Sequence, residues 1–241
     1  MNTNIKNNLN KMNTLLSVSA LILASSQLQA QDLSITVTNL TQGLHFTPII
    51  TSAHTSDNHI FMVGTTATAE LQAMAEGGDI SSLVTMLSNA DANTSDNPAG
   101  GLLAPGMSTT YMLTNDSANT HLSMTAMILP SNDGFVGLDG WEIPTEAGTY
   151  TVMLNAYDAG TEANNELING GGAPGVLGIP AAPSGGSGIN GTGVTELESN
   201  TIVHIHRGSI GDDNVNGGKS DLNNSIHRWL NPVAKLTVTI Q

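Results

Sequence analysis

Three acids combine a useful side-chain type with a useful position: Asp133, Asp158 and Glu162. Asp133 sits in Ser131-Asn132-Asp133-Gly134, directly after the apolar run Met124 to Leu129 and Pro130. Asp158 and Glu162 sit in Asp158-Ala159-Gly160-Thr161-Glu162, directly after the run Thr149 to Tyr157. Proline cannot donate to a β-ladder, and Gly and Asn accept turn dihedrals, so both runs read as strands that end in loops. If the two strands run in the same sense through one sandwich, both acidic loops emerge at one end. Carboxylates and carbonyls held together there suit a hard cation, most simply calcium, which takes about six to eight oxygens. Asp139 and Glu166 stand in reserve as further ligands. The plainer alternative is that Asp133 and Asp158 only start turns by accepting local backbone hydrogen bonds.

Two further patterns are candidates for metal chemistry. His204-Ile205-His206 places two imidazoles on one face of a strand, because side chains alternate with a period of two. Such a pair suits copper or zinc in a periplasmic metal-binding protein, with a further ligand from His45, His54, His59, His121 or His227. The alternative is a pair of hydrogen-bonded histidines on the more polar strand face. Asp212-Asp213-Asn214-Val215-Asn216-Gly217 matches the opening of a calcium loop, but Asn223 stands at the twelfth position, where Glu is required. A polar hairpin is the simpler reading of that stretch.

Signatures of covalent catalysis are missing: there is no Gly-x-Ser-x-Gly, phosphate loop or His-Glu-x-x-His. Asp133, Asp158 and Glu162 could supply an acid and a base to a hydrolase acting on glycosides. Trp141 and Trp229 are the only tryptophans, too few to build a sugar cleft. The expectation is a protein that is not an enzyme.

The elements that must position these residues are mainly strands. Leu33 to Leu40 alternates apolar and polar residues, as a half-buried strand does. His45 to Ile50, Ser108 to Thr114, His121 to Leu129, Thr149 to Tyr157, Thr201 to Arg207 and Lys235 to Ile240 continue the β pattern. Residues 68–88 change to helical spacing, with Gly77-Gly78 interrupting and Asp79 able to cap a second short helix. These helices should cover one side of the sandwich. Residues 169–193 are dominated by Gly, Pro, Ser and Ala and read as a long flexible loop inside the domain. Too few residues follow it to form an independent core. No βαβ rhythm appears, so the expected fold is all-β: an antiparallel β-sandwich with a short helical insertion, over residues 31–241.

Composition narrows the setting. The first thirty residues resemble a secretory signal peptide: Lys6 and Lys11 are the only charges, Leu15 to Ala24 is a short apolar core, and Ala30 suits cleavage. Export to the periplasm or the medium is therefore expected. Without those residues the chain carries 4 basic and 20 acidic residues, which opposes nucleic acid or anionic membrane as direct partners. There is no cysteine, so neither disulfides nor thiolate chemistry are available. The mature chain has no apolar run long enough to span a bilayer, and a monomer is expected.

Three blocks, LSMTAMILPSNDGFVG, NAYDAGTEANNE and HRWLNPVAKLTVTI, occur here in the order they take in the spondin N-terminal domain family, which this chain resembles. Animal members carry a strand ending in Pro-Ser-Pro-Asp-Trp-Phe-Val-Gly, a Trp/Tyr-Asp-Ala-Gly-Thr-Asp loop and an Asn-Pro-Val-Ala segment. The resemblance implies a sandwich similar to the calcium-dependent membrane-docking domains, with calcium held by loops at one end. It implies Asp158 and Glu162 as ligands, with Asp133 beside them, and an adhesion or ligand-binding role toward an unknown protein or glycan. Gly134 stands where animal members have Trp, and the cysteines and thrombospondin-type repeats of those proteins are absent from these 241 residues. The resemblance is therefore to the stand-alone bacterial members.

Overall fold

A computed structural model describes residues 31–241. The expected signal peptide, residues 1–30, lies outside the described residues. Ten strands and two helices follow in order: β1 (Gln31–Asn39), β2 (His45–Phe46), β3 (Ile50–His54), α1 (Ala69–Gly77), α2 (Ser81–Asn89), β4 (Asn93–Asp96), β5 (Ser108–Asn115), β6 (His121–Leu129), β7 (Gly134–Glu142), β8 (Gly148–Asp158), β9 (His204–Ile205) and β10 (Ala234–Ile240). All the strand pairings are antiparallel. The strand order is β4-β3-β6-β7-β8-β10-β1-β5.

Strand β8 belongs to both layers. Its first part, Gly148 to Leu154, pairs with β10, and its last part, Asn155 to Asp158, pairs with β7. The chain therefore turns a corner within one strand, giving the antiparallel sandwich expected from the sequence. The main core lies between the layers. Leu33, Ile35 and Val37 of β1 and Leu236, Val238 and Ile240 of β10 face Leu122, Met124, Ala126 and Ile128 of β6. Each set follows the two-residue period of a pleated strand.

Strand β6 is buried along nearly its whole length because both of its faces are covered. Its second face, with Met127 and Leu129, packs under Leu71, Met74 and Ala75 of α1 and Leu83 and Leu87 of α2. The helical insertion thus covers one side of the sandwich, as the spacing predicts. Thr68 caps α1 through a hydrogen bond from Leu71 N, and Asp79 Oδ1 accepts from Ser81 N at the start of α2.

Several polar or glycine-rich stretches form strands that periodicity does not reveal. Strand β3 covers Ile50 to His54, and its residues are all buried, including Thr51, Ser52 and His54. Strand β4, Asn93 to Asp96, is made wholly of polar residues. Strand β7 is rich in glycine, and Gly137 is needed where the Phe61 ring passes: a Cβ there would lie 2.7 Å from it. Pairing to neighbours with strong signals carries these weak segments into the sheet. In contrast, only His204 and Ile205 of the expected strand at 201–207 form a ladder.

Candidate metal centre

Strands β6 and β8 flank β7 and are both antiparallel to it, so they run in the same sense. Their C-terminal ends lie at the same end of the sheet, on either side of the start of β7, as the acidic-loop reading requires. Gly134 pairs with Asp158 across the ladder, and Ala159 N donates to the Asp133 carbonyl at 3.2 Å. Asp133, Asp158 and Glu162 are thereby brought together, and all three are buried.

Asp133 and Glu162 are each anchored through one oxygen, and Asp158 through both. Asp133 Oδ2 accepts from Thr161 N at 2.8 Å, Glu162 N at 3.1 Å and Thr161 Oγ1 at 3.3 Å. Asp158 Oδ1 accepts from Gly160 N at 2.8 Å, and its Oδ2 accepts from Asn164 Nδ2 at 2.7 Å. Glu162 Oε2 accepts from Gly178 N at 2.9 Å and Asn132 Nδ2 at 3.3 Å. Asp133 Oδ1 and Glu162 Oε1, however, are buried without any hydrogen-bond partner. An unpartnered buried charged oxygen is costly, so two in one cluster demand a physical cause.

Electrostatics point the same way. Burial raises the Asp133 carboxyl far above the usual carboxylate range, and the neighbouring Asp158 charge adds to the rise. Burial likewise raises Asp158, against hydrogen bonds and the His204 charge that lower it. Glu162 is pushed up to about 7, first by burial, with the Gly178 and Asn132 contacts opposing. Among the described residues no lysine or arginine forms an ion pair with any of the three; only His204 and His206 come near, at 3.8 and 4.0 Å from Asp158 Oδ2. Burial thus disfavours the charged form of all three carboxyls.

The two histidines differ in what they can do. His206 is buried and stacks on Trp229 with ring centroids 4.8 Å apart. Its Nδ1 accepts from Gly208 N at 2.9 Å, and its Nε2 donates to Asn164 Oδ1 at 3.0 Å. Both nitrogens are therefore occupied, and burial pushes its pKa down to about 3. Through Asn164, this neutral ring orients the amide that holds Asp158. His204 is partly exposed and donates Nδ1–H to the Ile202 carbonyl at 2.8 Å, which leaves Nε2 directed at Asp158. Sequence spacing pairs these two histidines but does not separate their roles.

The reserve acids are committed elsewhere. Asp139 accepts from His59 Nδ1 at 2.5 Å and Ile60 N at 2.9 Å, beside the bulge in the β6–β7 ladder. Glu166 accepts from Ile210 N, Gly211 N and Ser220 Oγ. In the Asp212 stretch, the Asp212 carboxylate accepts the N–H groups of Asn214, Lys219 and Ser220 and closes a turn. Sequence reading passes over Asn132 and Asn164, the two buried amides that hold Glu162 and Asp158. Their only signal is that each lies next to or within an acidic loop.

Among the described residues, no three Asp, Glu or His side chains converge on one point at ligand distance. The acids therefore do not form a closed cage by themselves. Calcium routinely completes its shell with backbone carbonyls and water, and the two orphaned oxygens are donors of the hard type it takes. Two of the acids, Asp133 and Glu162, thus carry an unsatisfied oxygen of the kind such an ion takes.

Fold and site together define an all-β module: an antiparallel sandwich with a buried carboxylate cluster at the ends of two strands of like sense. The sequence model of one family, Spondin_N, matches residues 37–166, more than half of the chain and including all three acids. The chain belongs to the spondin N-terminal domain family. No curated protein matches the chain. No helix among the described residues is long and apolar enough to cross a membrane.

Proposed function

We propose that this chain is an exported, non-enzymatic calcium-binding β-sandwich that serves as an adhesion or ligand-binding module. The observation that carries the metal assignment is the pair of buried, partnerless oxygens, Asp133 Oδ1 and Glu162 Oε1, in a cluster that forms no ion pair with a lysine or arginine among the described residues. Asp133, Asp158 and Glu162 are the proposed ligands. A cation there would return the three carboxyls to their charged form and satisfy the orphaned oxygens. Burial of the acids also favours a binding module over a hydrolase. Asp133 is inaccessible and Asp158 is 1% exposed, so no substrate reaches either carboxylate. Export rests on the composition of residues 1–30, and the adhesion role rests on family membership.

The test is a calcium titration of the purified mature chain by calorimetry and thermal melting. A ligand at a hundredfold excess over Kd stabilises by about 2.7 kcal/mol. For a chain of this size that corresponds to a Tm rise of about 5–10 °C. Asp158→Ala abolishes the rise; equal shifts in variant and parent would remove calcium from this site.

A second reading rests on His204, whose free Nε2 lies 3.8 Å from Asp158 Oδ2. Imidazole with carboxylate suits zinc or copper. Zinc or copper that displaces calcium, and loses this ability in His204→Ala, would favour it.

A further inference from the structure

Residues 167–179 carry little that could hold them in place by burial. Ile179 is the one fully buried apolar side chain among them, while Val176 and Leu177 are about half exposed. Their order comes from polar contacts. Ile179 N donates to the Leu167 carbonyl at 2.8 Å, and Gly170 N donates to the Ile179 carbonyl at 3.2 Å. Asn169 closes the loop from within, donating to the Leu177 carbonyl and accepting from Gly171 N, both at 3.0 Å. Two carboxylates tie the segment to the body: Glu76 Oε2 accepts from Gly175 N at 2.6 Å, and Glu162 Oε2 accepts from Gly178 N at 2.9 Å.

Glu162 is thus shared between two structures. One oxygen, Oε2, holds Gly178, and the other, Oε1, is buried without a partner. A cation bound to Oε1 fixes the carboxylate plane and keeps Oε2 where the Gly178 N–H requires it. Without the cation, like charge on Asp133 opposes the charged form of Glu162, and nothing holds Oε1. A segment held by few contacts opens at low free-energy cost, so losing one charge-assisted bond matters there more than in the sandwich core.

We propose that cation binding at Asp133, Asp158 and Glu162 and the ordering of residues 167–179 are one coupled equilibrium, with Glu162 as the shared residue. This rests on the calcium reading above. The ion acts as a buried clasp for the coil segment, not as a bridge to an external ligand.

Hydrogen exchange of the mature chain, with saturating calcium or with chelator, tests the coupling directly. Peptides covering 167–179 should exchange at least tenfold more slowly with calcium, while peptides from β1 and β10 keep their rates. Asn169→Ala provides the reciprocal arm, because linkage requires that loosening the segment weakens the ion. Asn169 is exposed and uncharged and lies outside the cluster, so its removal leaves the charge of the site unchanged. Calcium affinity in that variant should fall about fivefold. Calcium that binds with no change in exchange at 167–179, or with unaltered affinity in Asn169→Ala, overturns the coupling and leaves the calcium reading intact. Failure to bind calcium at all in calorimetry overturns the reading itself.

Discussion

Asp133 accepts the main-chain N–H of Glu162 at 3.1 Å through Oδ2, while its own Oδ1 and the Oε1 of Glu162 remain buried and without partners. Two acids 29 positions apart are therefore joined by a backbone dipole and opposed by their side-chain charges. The backbone contact sets the loop, and two side-chain oxygens are left unsatisfied. Three consequences of this arrangement can be measured.

The first concerns pH. Glu162 has its carboxyl raised to about 7 by burial, so the folded chain holds that proton more tightly than the unfolded chain. A raised carboxyl stabilises the fold below its ordinary value, and the contribution is lost as pH rises through about 7. Glu162→Gln mimics the neutral form at every pH. In chelator, the Tm of Glu162→Gln should therefore gain on that of the parent by several degrees between pH 5 and pH 8. Histidines buried in the neutral form gain protons on unfolding in both proteins, so their contribution cancels from the difference. Calcium should reverse the ranking at pH 8. A difference that is constant with pH would show that Glu162 is not held in this environment.

His206 should behave as a structural ring. Its Nδ1 accepts from Gly208 N and its Nε2 donates to Asn164, so the neutral Nε2–H tautomer is the one that satisfies both contacts. Nitrogen NMR should show that tautomer unchanged from pH 8 to pH 5, consistent with a pKa pushed down to about 3. His206→Ala removes the hydrogen bond and the stack on Trp229, at a cost of about 2–4 kcal/mol in denaturant unfolding. An imidazole that titrates near its ordinary pKa of about 6.5 would contradict the burial.

Gly160 ties loop geometry to metal affinity. It has φ +70°, and a Cβ there would lie 2.7 Å from the Thr201 carbonyl carbon and 2.8 Å from Ile202 N. Both obstacles are backbone, so the cost cannot be relieved by turning a side chain. Gly160→Ala should destabilise the chain by about 1–3 kcal/mol. It should also weaken calcium, because Gly160 N holds Asp158 Oδ1. Unchanged Tm and unchanged affinity would show that the loop tolerates displacement.

The sequence by itself determined the all-β class, the strong strands β1, β6, β8 and β10, and the helical cover. These depend on apolar periodicity, which is local and survives without partners. It also marked Asp133, Asp158 and Glu162, because acids that follow strand ends must share a rim when the strands run in the same sense. Tertiary structure alone decided the weak strands β3, β4 and β7, which exist only because stronger neighbours offer them a ladder. It alone divided the labour of His204 and His206, since one ring, and not the other, donates to Asn164 and accepts from Gly208. It also left two carboxylate oxygens without partners. Burial and hydrogen-bond satisfaction are properties of residues far apart in the chain, and no local pattern encodes them.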